Sequence, residues 1–156
     1  MKKTIALVAH DNRKRDMMEW VAFNSEILHH YHLVCTGTTG KLIEKVLHEQ
    51  LRKHIPLTLL KSGPLGGDQQ LGALIAEGKI DLVIFLWDPM QPQPHDVDVK
   101  ALLRISSLYN IPTACNRATA DYIISSPLLS SSDYKPILRD FTEYLTRPLD
   151  FNRVTV

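Results

Sequence analysis

"AEGKIDLVIFLWDP", Ala76–Pro89, is the stretch that decides the fold. Gly78 stands where a helix ends in a left-handed residue. Beyond it, Leu82 to Trp87 are all apolar. A strand with one face in water alternates apolar and polar residues, so an unbroken run predicts a strand covered on both faces, as in a parallel sheet between helical layers. Shorter runs of the same kind lie at Ile5–Ala9, Leu33–Thr36, Leu57–Lys61 and Pro112–Asn116. Segments with helical spacing separate them, carried by Met17, Trp20 and Val21, by Leu42, Ile43, Val46 and Leu47, by Leu71, Leu74 and Ile75, and by Leu102, Leu103 and Ile105. This alternation predicts an α/β fold: a single domain over residues 1–156, with a three-layer open parallel sheet of about five strands and helices on both faces. Toward the C-terminus "SSPLLSSSDYKP" reads as a loop, Pro136 confines any strand to an edge, and "ILRDFTEYLTR", Ile137–Arg147, returns as a helix.

Composition narrows the partners. The 156 residues are 44% hydrophobic and 22% charged, enough for a proper core. Eighteen basic residues against seventeen acidic ones leave a formal charge of +1, with no basic stripe for nucleic acid. Any anion must be gripped locally. No apolar run approaches the roughly 20 residues a membrane span needs, and the opening "MKKTIALVAHD" is too short in its apolar part for a secretory signal. Cys35 and Cys115 lack a spacing motif and fit a reducing compartment, so a cytoplasmic protein is expected.

In open parallel sheets ligands bind beyond the carboxyl ends of the strands. At that edge the sequence places "HDNRK", "TGTTGK", "SGPLGGD", "WDPMQPQPHDVDV" and "NRATAD". The opposite edge offers little of comparable polarity. In "TGTTG", Thr36, Gly37, Thr38 and Thr39 bring hydroxyls to a helix N-terminus, where free amides and the helix dipole favour an anion. The spacing is neither a P-loop nor a dinucleotide fingerprint. Thr38 or Thr39 can equally be a plain helix cap. Lys14 adds a mobile positive charge, and Ser62 with Gly63 forms a second hydroxyl–glycine pair.

Asp68 follows those glycines. Its structural reading is a cap on a helix beginning at Gln69; its chemical reading is a carboxylate aimed at the carbon skeleton of a phosphate-bearing ligand. Prolines 92 and 94 stiffen the loop that delivers His95, Asp96 and Asp98. One of the two aspartates is expected to cap the next helix, whereas His95 has no comparable structural task. A carboxylate opposite an imidazole suits proton abstraction next to a carbonyl, with Asp68 as base and neutral His95 donating to the enolate oxygen. Asp98, or Asp11 beside His10, could fix the imidazole tautomer. The adjacent histidines of "HHYH", His29–His32, fall at the wrong edge and seldom give a metal the geometry it needs.

Taken together, "VAHD", "TGTTG", "SGPLGGDQQ", "DLVIFLWDP", "HDVDVKALLR" and "IPTACNRATADYII" resemble the methylglyoxal synthase family, over about Ile5 to Ser126. The resemblance implies a carbon–oxygen lyase that converts dihydroxyacetone phosphate to methylglyoxal and inorganic phosphate without metal or organic cofactor. It also implies a homohexamer, inhibited cooperatively by inorganic phosphate and serving as a bypass of lower glycolysis. By motif, Asp68 matches the catalytic base, His95 the imidazole at the substrate oxygens, and Asp98 an acidic partner in catalysis. His10, Lys14 and neighbouring Asp11 match substrate contacts. Thr36, Gly37, Thr38, Thr39, Ser62 and Gly63 match the phosphate-binding loops, and Arg147 loosely fits a C-terminal arginine. The Gly40–Ser62 connection is longer than the family's usual one. Two other readings use the same residues: a phosphate-ligand sensing module of the same fold, and a metal-dependent phosphohydrolase drawing on His10, Asp11, Asp88, His95 and Asp98.

Overall fold

A computed structural model describes residues 2–148. Five strands, β1 (Thr4–Ala9), β2 (His32–Thr36), β3 (Leu57–Leu60), β4 (Leu82–Leu86) and β5 (Thr113–Ala114), form one sheet in the order β3-β2-β1-β4-β5. Every pairing is parallel. The helices are α1 (Lys14–Phe23), α2 (Ser25–Leu28), α3 (Gly37–Leu51), α4 (Gly67–Ala76), α5 (Asp96–Leu108), α6 (Arg117–Ile124), α7 (Pro127–Ser130) and α8 (Thr142–Thr146).

Period-two side-chain geometry splits the core into two halves. Ile5, Leu7 and Ala9 of β1 point to one face with Leu33, Cys35, Leu82, Ile84 and Leu86, under Met17, Trp20, Ile43, Leu47 and Ala120 of α1, α3 and α6. Ala6, Val8, Val34, Val83 and Phe85 point to the other, under Leu71 and Ile75 of α4 and Val99 and Leu102 of α5. β4 is buried at all five positions. This is the three-layer arrangement that the apolar run at Leu82–Trp87 predicts.

Two boundaries differ from expectation for physical reasons. β5 keeps only two residues: Pro112 has no N–H to donate to the ladder, and at the other end Asn116 already caps α6. The helix expected over Ile137–Arg147 shrinks to α8. The Asp140 carboxylate takes the Thr142 amide at 2.8 Å and so starts the helix late, while the Ile137 carbonyl is used by the Asn110 side chain at 2.9 Å. Arg147 sits just past α8, its guanidinium 3.9 Å from the centre of the Tyr144 ring. In the long connection after Gly40, α3 continues to Leu51 and stops at Arg52, in the left-handed region at φ 53°.

Candidate active site

The chain reverses direction across the sheet between β1 and β4, so the loops leaving these strands part and a crevice opens at their carboxyl ends. A cavity of about 310 Å³ occupies it, at the small end of the ligand-site range. Its lining comes from four loops: His10, Asp11 and Lys14 after β1, Thr36–Thr39 after β2, Ser62–Pro64 with Asp68 after β3, and Gln93 with His95 after β4.

The anion side is built from close backbone packing. Gly37 adopts φ 37°, and a side chain there would lie 2.6 Å from the Ser62 Cα, so the β2 and β3 loops touch only because Gly37 is a glycine. The N-cap of α3 is Thr36, with no side-chain cap; neither Thr38 nor Thr39 plays that part. The first-turn amides of α3 therefore face the cavity end without a side-chain oxygen competing for them. Buried Thr39 donates its hydroxyl to the Ala9 carbonyl at 3.3 Å. Exposed Thr38 accepts from the Lys14 ammonium, which also bonds the Asp11 carboxylate. That bond, with the ammonium's charge, holds the Asp11 carboxyl below the usual aspartate range.

The acid side sits opposite. Asp68 is the second residue of α4, which starts at Gly67 and has Gly66 as its uncapped N-cap. Asp68 is thus not the cap of a helix starting at Gln69. It is 4% exposed, and its Oδ2 has no hydrogen-bond partner. The His95 Nε2 lies 3.7 Å from that oxygen, beyond hydrogen-bond length. Burial pushes the Asp68 carboxyl up; the Asp98 carboxylate pushes the same way, and His95 opposes both. Gly63 lies beneath the pair: a Cβ on it would come 3.0 Å from His95 Nε2 and 3.1 Å from Asp68 Oδ2.

His95 is the N-cap of α5, and no side chain caps that helix; Asp96 and Asp98 occupy its first turn instead. Asp98 does not line the cavity and acts on Asp68 through charge alone. Neither Asp98 nor Asp11 fixes the His95 tautomer as expected: the His95 Nδ1 is buried without a hydrogen-bond partner. The imidazole that is fixed is His10, by the backbone: the Asp88 amide donates to His10 Nδ1 at 3.2 Å. An amide can only donate, so a neutral His10 carries its proton on Nε2. Burial, and then the neighbouring His95, lower the His10 pKa, which favours that neutral form. The two imidazoles meet edge to face at 5.5 Å.

Sequence reading missed Gln93 and Pro64 in the lining and the role of the Asp88 amide. Gln93, two residues before His95 in a stiffened loop, offered some signal; a backbone donor offers none. Among the described residues no group of three or more His, Cys, Asp or Glu is placed to hold a metal ion. Of "HHYH", the His29 and His30 rings lie 3.9 Å apart, tilted by 38°, away from the cavity.

Fold and site define a doubly wound α/β protein with a small cleft that faces an acid–imidazole pair with an anion-binding rim. The family model described as "MGS-like domain" matches residues 16–115. Methylglyoxal synthase of Maridesulfovibrio salexigens is 54% identical over 154 residues, covering 94% of this chain and 98% of that protein. Methylglyoxal synthase of Leptospira interrogans is 57% identical over 139 residues, 89% of each chain. The crystal structure of methylglyoxal synthase from Elizabethkingia anophelis superposes with a TM-score of 0.83 at 49% identity, covering 95% of this chain and 93% of that one. The chain belongs to the methylglyoxal synthase family and is an enzyme. The family model begins after His10, Asp11 and Lys14, whereas the match to the Maridesulfovibrio protein covers nearly the whole chain.

Proposed function

We propose that the chain works as one domain that converts dihydroxyacetone phosphate to methylglyoxal and inorganic phosphate, with Asp68 as the base. The observation that carries this reading is the buried Asp68–His95 pair, 3.7 Å apart, in the same cavity as the threonine, serine and glycine loops. The phosphate is held by the α3 N-terminus, Thr36–Thr39, Ser62–Gly63 and Lys14. Asp68 takes a proton from the hydroxymethyl carbon, and the C–H electron pair moves toward the carbonyl. His95 and the His10 Nε2–H donate to the oxygen that gains charge. The hydroxyl on the deprotonated carbon then gives up its proton as that carbon becomes an aldehyde, the C=C pair shifts to form a double bond to the phosphate-bearing carbon, and phosphate leaves with the C–O electrons. The enolate left behind takes up a proton on its terminal carbon and becomes methylglyoxal. Desolvation makes Asp68 a stronger base at the cost of a smaller ionised fraction, with Asp98 adding to the effect. No metal or organic cofactor enters these steps. A sensing module would give the Asp68–His95 pair no task.

The test is product analysis with dihydroxyacetone phosphate. Phosphate and a 1,2-dicarbonyl trapped by an aromatic diamine should appear in equal amounts; dihydroxyacetone plus phosphate would mean hydrolysis and refute elimination. Asp68→Asn should abolish turnover while keeping phosphate binding, and near-normal turnover would remove Asp68 from the base role.

A homohexamer inhibited by inorganic phosphate extends the proposal. Phe23, Tyr122, Ile137 and Leu145 are each more than three-quarters exposed, an apolar surface that subunit contacts would cover. Inorganic phosphate fits the loops that hold the ester's phosphate. The free thiols Cys35 and Cys115 support a cytoplasmic location, and the proposed substrate, a triose phosphate, supports a place beside glycolysis. No helix among the described residues is long and apolar enough to cross a membrane.

A further inference from the structure

We propose that Asn12 and the Asp88 side chain form a clamp of two positioning residues that holds His10 as the tautomer with its proton on Nε2. The proposal rests on the reaction proposed above for its kinetic consequence, but not for its structural one.

The device grows out of the sheet ladder. β1 and β4 pair from Ile5↔Leu82 to Ala9↔Leu86, and the His10 amide adds a rung to the Leu86 carbonyl at 3.2 Å. In a parallel ladder the next donor, the Asp88 amide, would reach back to the His10 carbonyl. That carbonyl is already taken by the Arg13 amide at 2.9 Å, in the single 3₁₀ turn Asp11–Arg13. The Asp88 amide finds the His10 Nδ1 instead, at 3.2 Å, so the imidazole stands in for a backbone acceptor. The opposite ring nitrogen, Nε2, is buried, has no partner, and belongs to a residue that lines the cavity.

The amide keeps this direction only if the chain beyond β4 is fixed, and that chain has left the ladder. The Trp87 amide turns back to the Phe85 carbonyl at 2.9 Å. Two bonds to one carboxylate fix Asp88: Oδ1 accepts from the Met90 amide at 3.0 Å, and Oδ2 accepts from the Asn12 side-chain amide at 2.9 Å. Beside the amide–imidazole bond itself, the Asn12 bond ties the loop after β1 to the loop after β4 a second time, two residues past the imidazole it steadies. Asp88 is buried while Asn12 is exposed, so Asn12 can be truncated without opening the core.

The primary readout is ¹⁵N NMR of the His10 ring in the substrate-free protein, assigned by the signal lost in His10→Gln. Wild type should show a protonated Nε2 and a bare Nδ1 on a neutral ring. Asn12→Ala and the milder Asn12→Ser should show a mixture of tautomers, with the His95 signals unmoved. For dihydroxyacetone phosphate, Asn12→Ala should lower kcat about tenfold, the loss expected for one hydrogen bond to a charged group, while KM stays within about twofold. A wild-type His10 protonated on Nδ1, or a ring pattern unchanged in both Asn12 variants, overturns the clamp. A wild type inactive on dihydroxyacetone phosphate, whose His10 pattern still shifts in Asn12→Ala, supports the clamp and refutes the reaction instead.

Discussion

A methyl group on Gly63 tests whether the pair beside it is built for chemistry. An alanine Cβ would stand 3.0 Å from His95 Nε2 and 3.1 and 3.4 Å from the two Asp68 carboxylate oxygens. The closer contacts require a retreat of a few tenths of an ångström, and the groups that must retreat are the tips of rotatable side chains. Mild overpacking of this kind costs about 1 kcal/mol, or roughly 2–4 °C in Tm for a chain of this size. Catalysis is less forgiving, because misplacing reacting groups by about one ångström costs about 100-fold in rate, so a retreat of a few tenths should still lower kcat/KM well beyond twofold. Gly67→Ala is the control. Its Cβ would lie 2.0 Å from the Lys61 carbonyl oxygen and 2.9 Å from the Ser62 carbonyl carbon, both backbone. Relief there means dragging the end of β3 away from α4, at about 3 kcal/mol and a Tm loss of roughly 6–12 °C. Steady-state kinetics with dicarbonyl trapping and a thermal melt on both variants suffice. Gly63→Ala with kcat/KM within twofold of wild type would refute the reasoning, and so would a Tm loss equal to that of Gly67→Ala.

The threonines should separate. Thr38→Ala should raise KM for substrate and weaken phosphate binding with Tm unchanged, whereas Thr39→Ala should also cost about 1 kcal/mol through the lost bond to the Ala9 carbonyl; unchanged affinity in both, by titration calorimetry, moves the anion site elsewhere. Asp68 must be ionised to act, and its pKa lies above the ordinary 3.8, so the acid limb of kcat/KM should fall above that pH. Asp98→Asn removes a charge that raises this pKa and should move the limb to lower pH; a limb that stays or rises refutes the coupling. A raised carboxyl pKa favours the fold below the unfolded value, and that contribution is lost as pH climbs through the folded one. Asp68→Asn should therefore melt higher than wild type at neutral pH, with the gap closing as the solution is acidified toward pH 4; a lower Tm at neutral pH refutes it.

The layers were legible because burial on both faces leaves a mark in composition: nothing but a covered strand explains Leu82–Trp87. The site was legible for a related reason. Parallel crossovers bring every loop after a strand to one edge, so polar residues scattered over Ser62, Asp68 and His95 could be assigned to one place before any distance was known. Capping was misread at α5 and stayed open at α3 and α4, since a threonine or aspartate near a helix start carries the same local signature whether it serves the helix or the cavity. Only tertiary placement separates the two. At α3, α4 and α5 the uncapped ends face the same edge of the sheet.

That shared absence of caps bears on why an aspartate sits among anion-binding loops. Three helix N-termini without side-chain acceptors gather positive potential at one rim. Asp68 lies in the first turn of one of them and His95 occupies the N-cap position of another, so the same field that attracts the phosphate also favours the ionised base over the neutral acid. Burial works against it and wins, as the raised pKa shows. A carboxylate in a neutral apolar pocket would stay protonated and idle; one exposed to water beside the same amides would be a weak base. Placing Asp68 at a helix start, yet 4% exposed and with one oxygen unpartnered, leaves an anion that is still present at working pH and poorly solvated. Abstraction of a carbon-bound proton needs both properties.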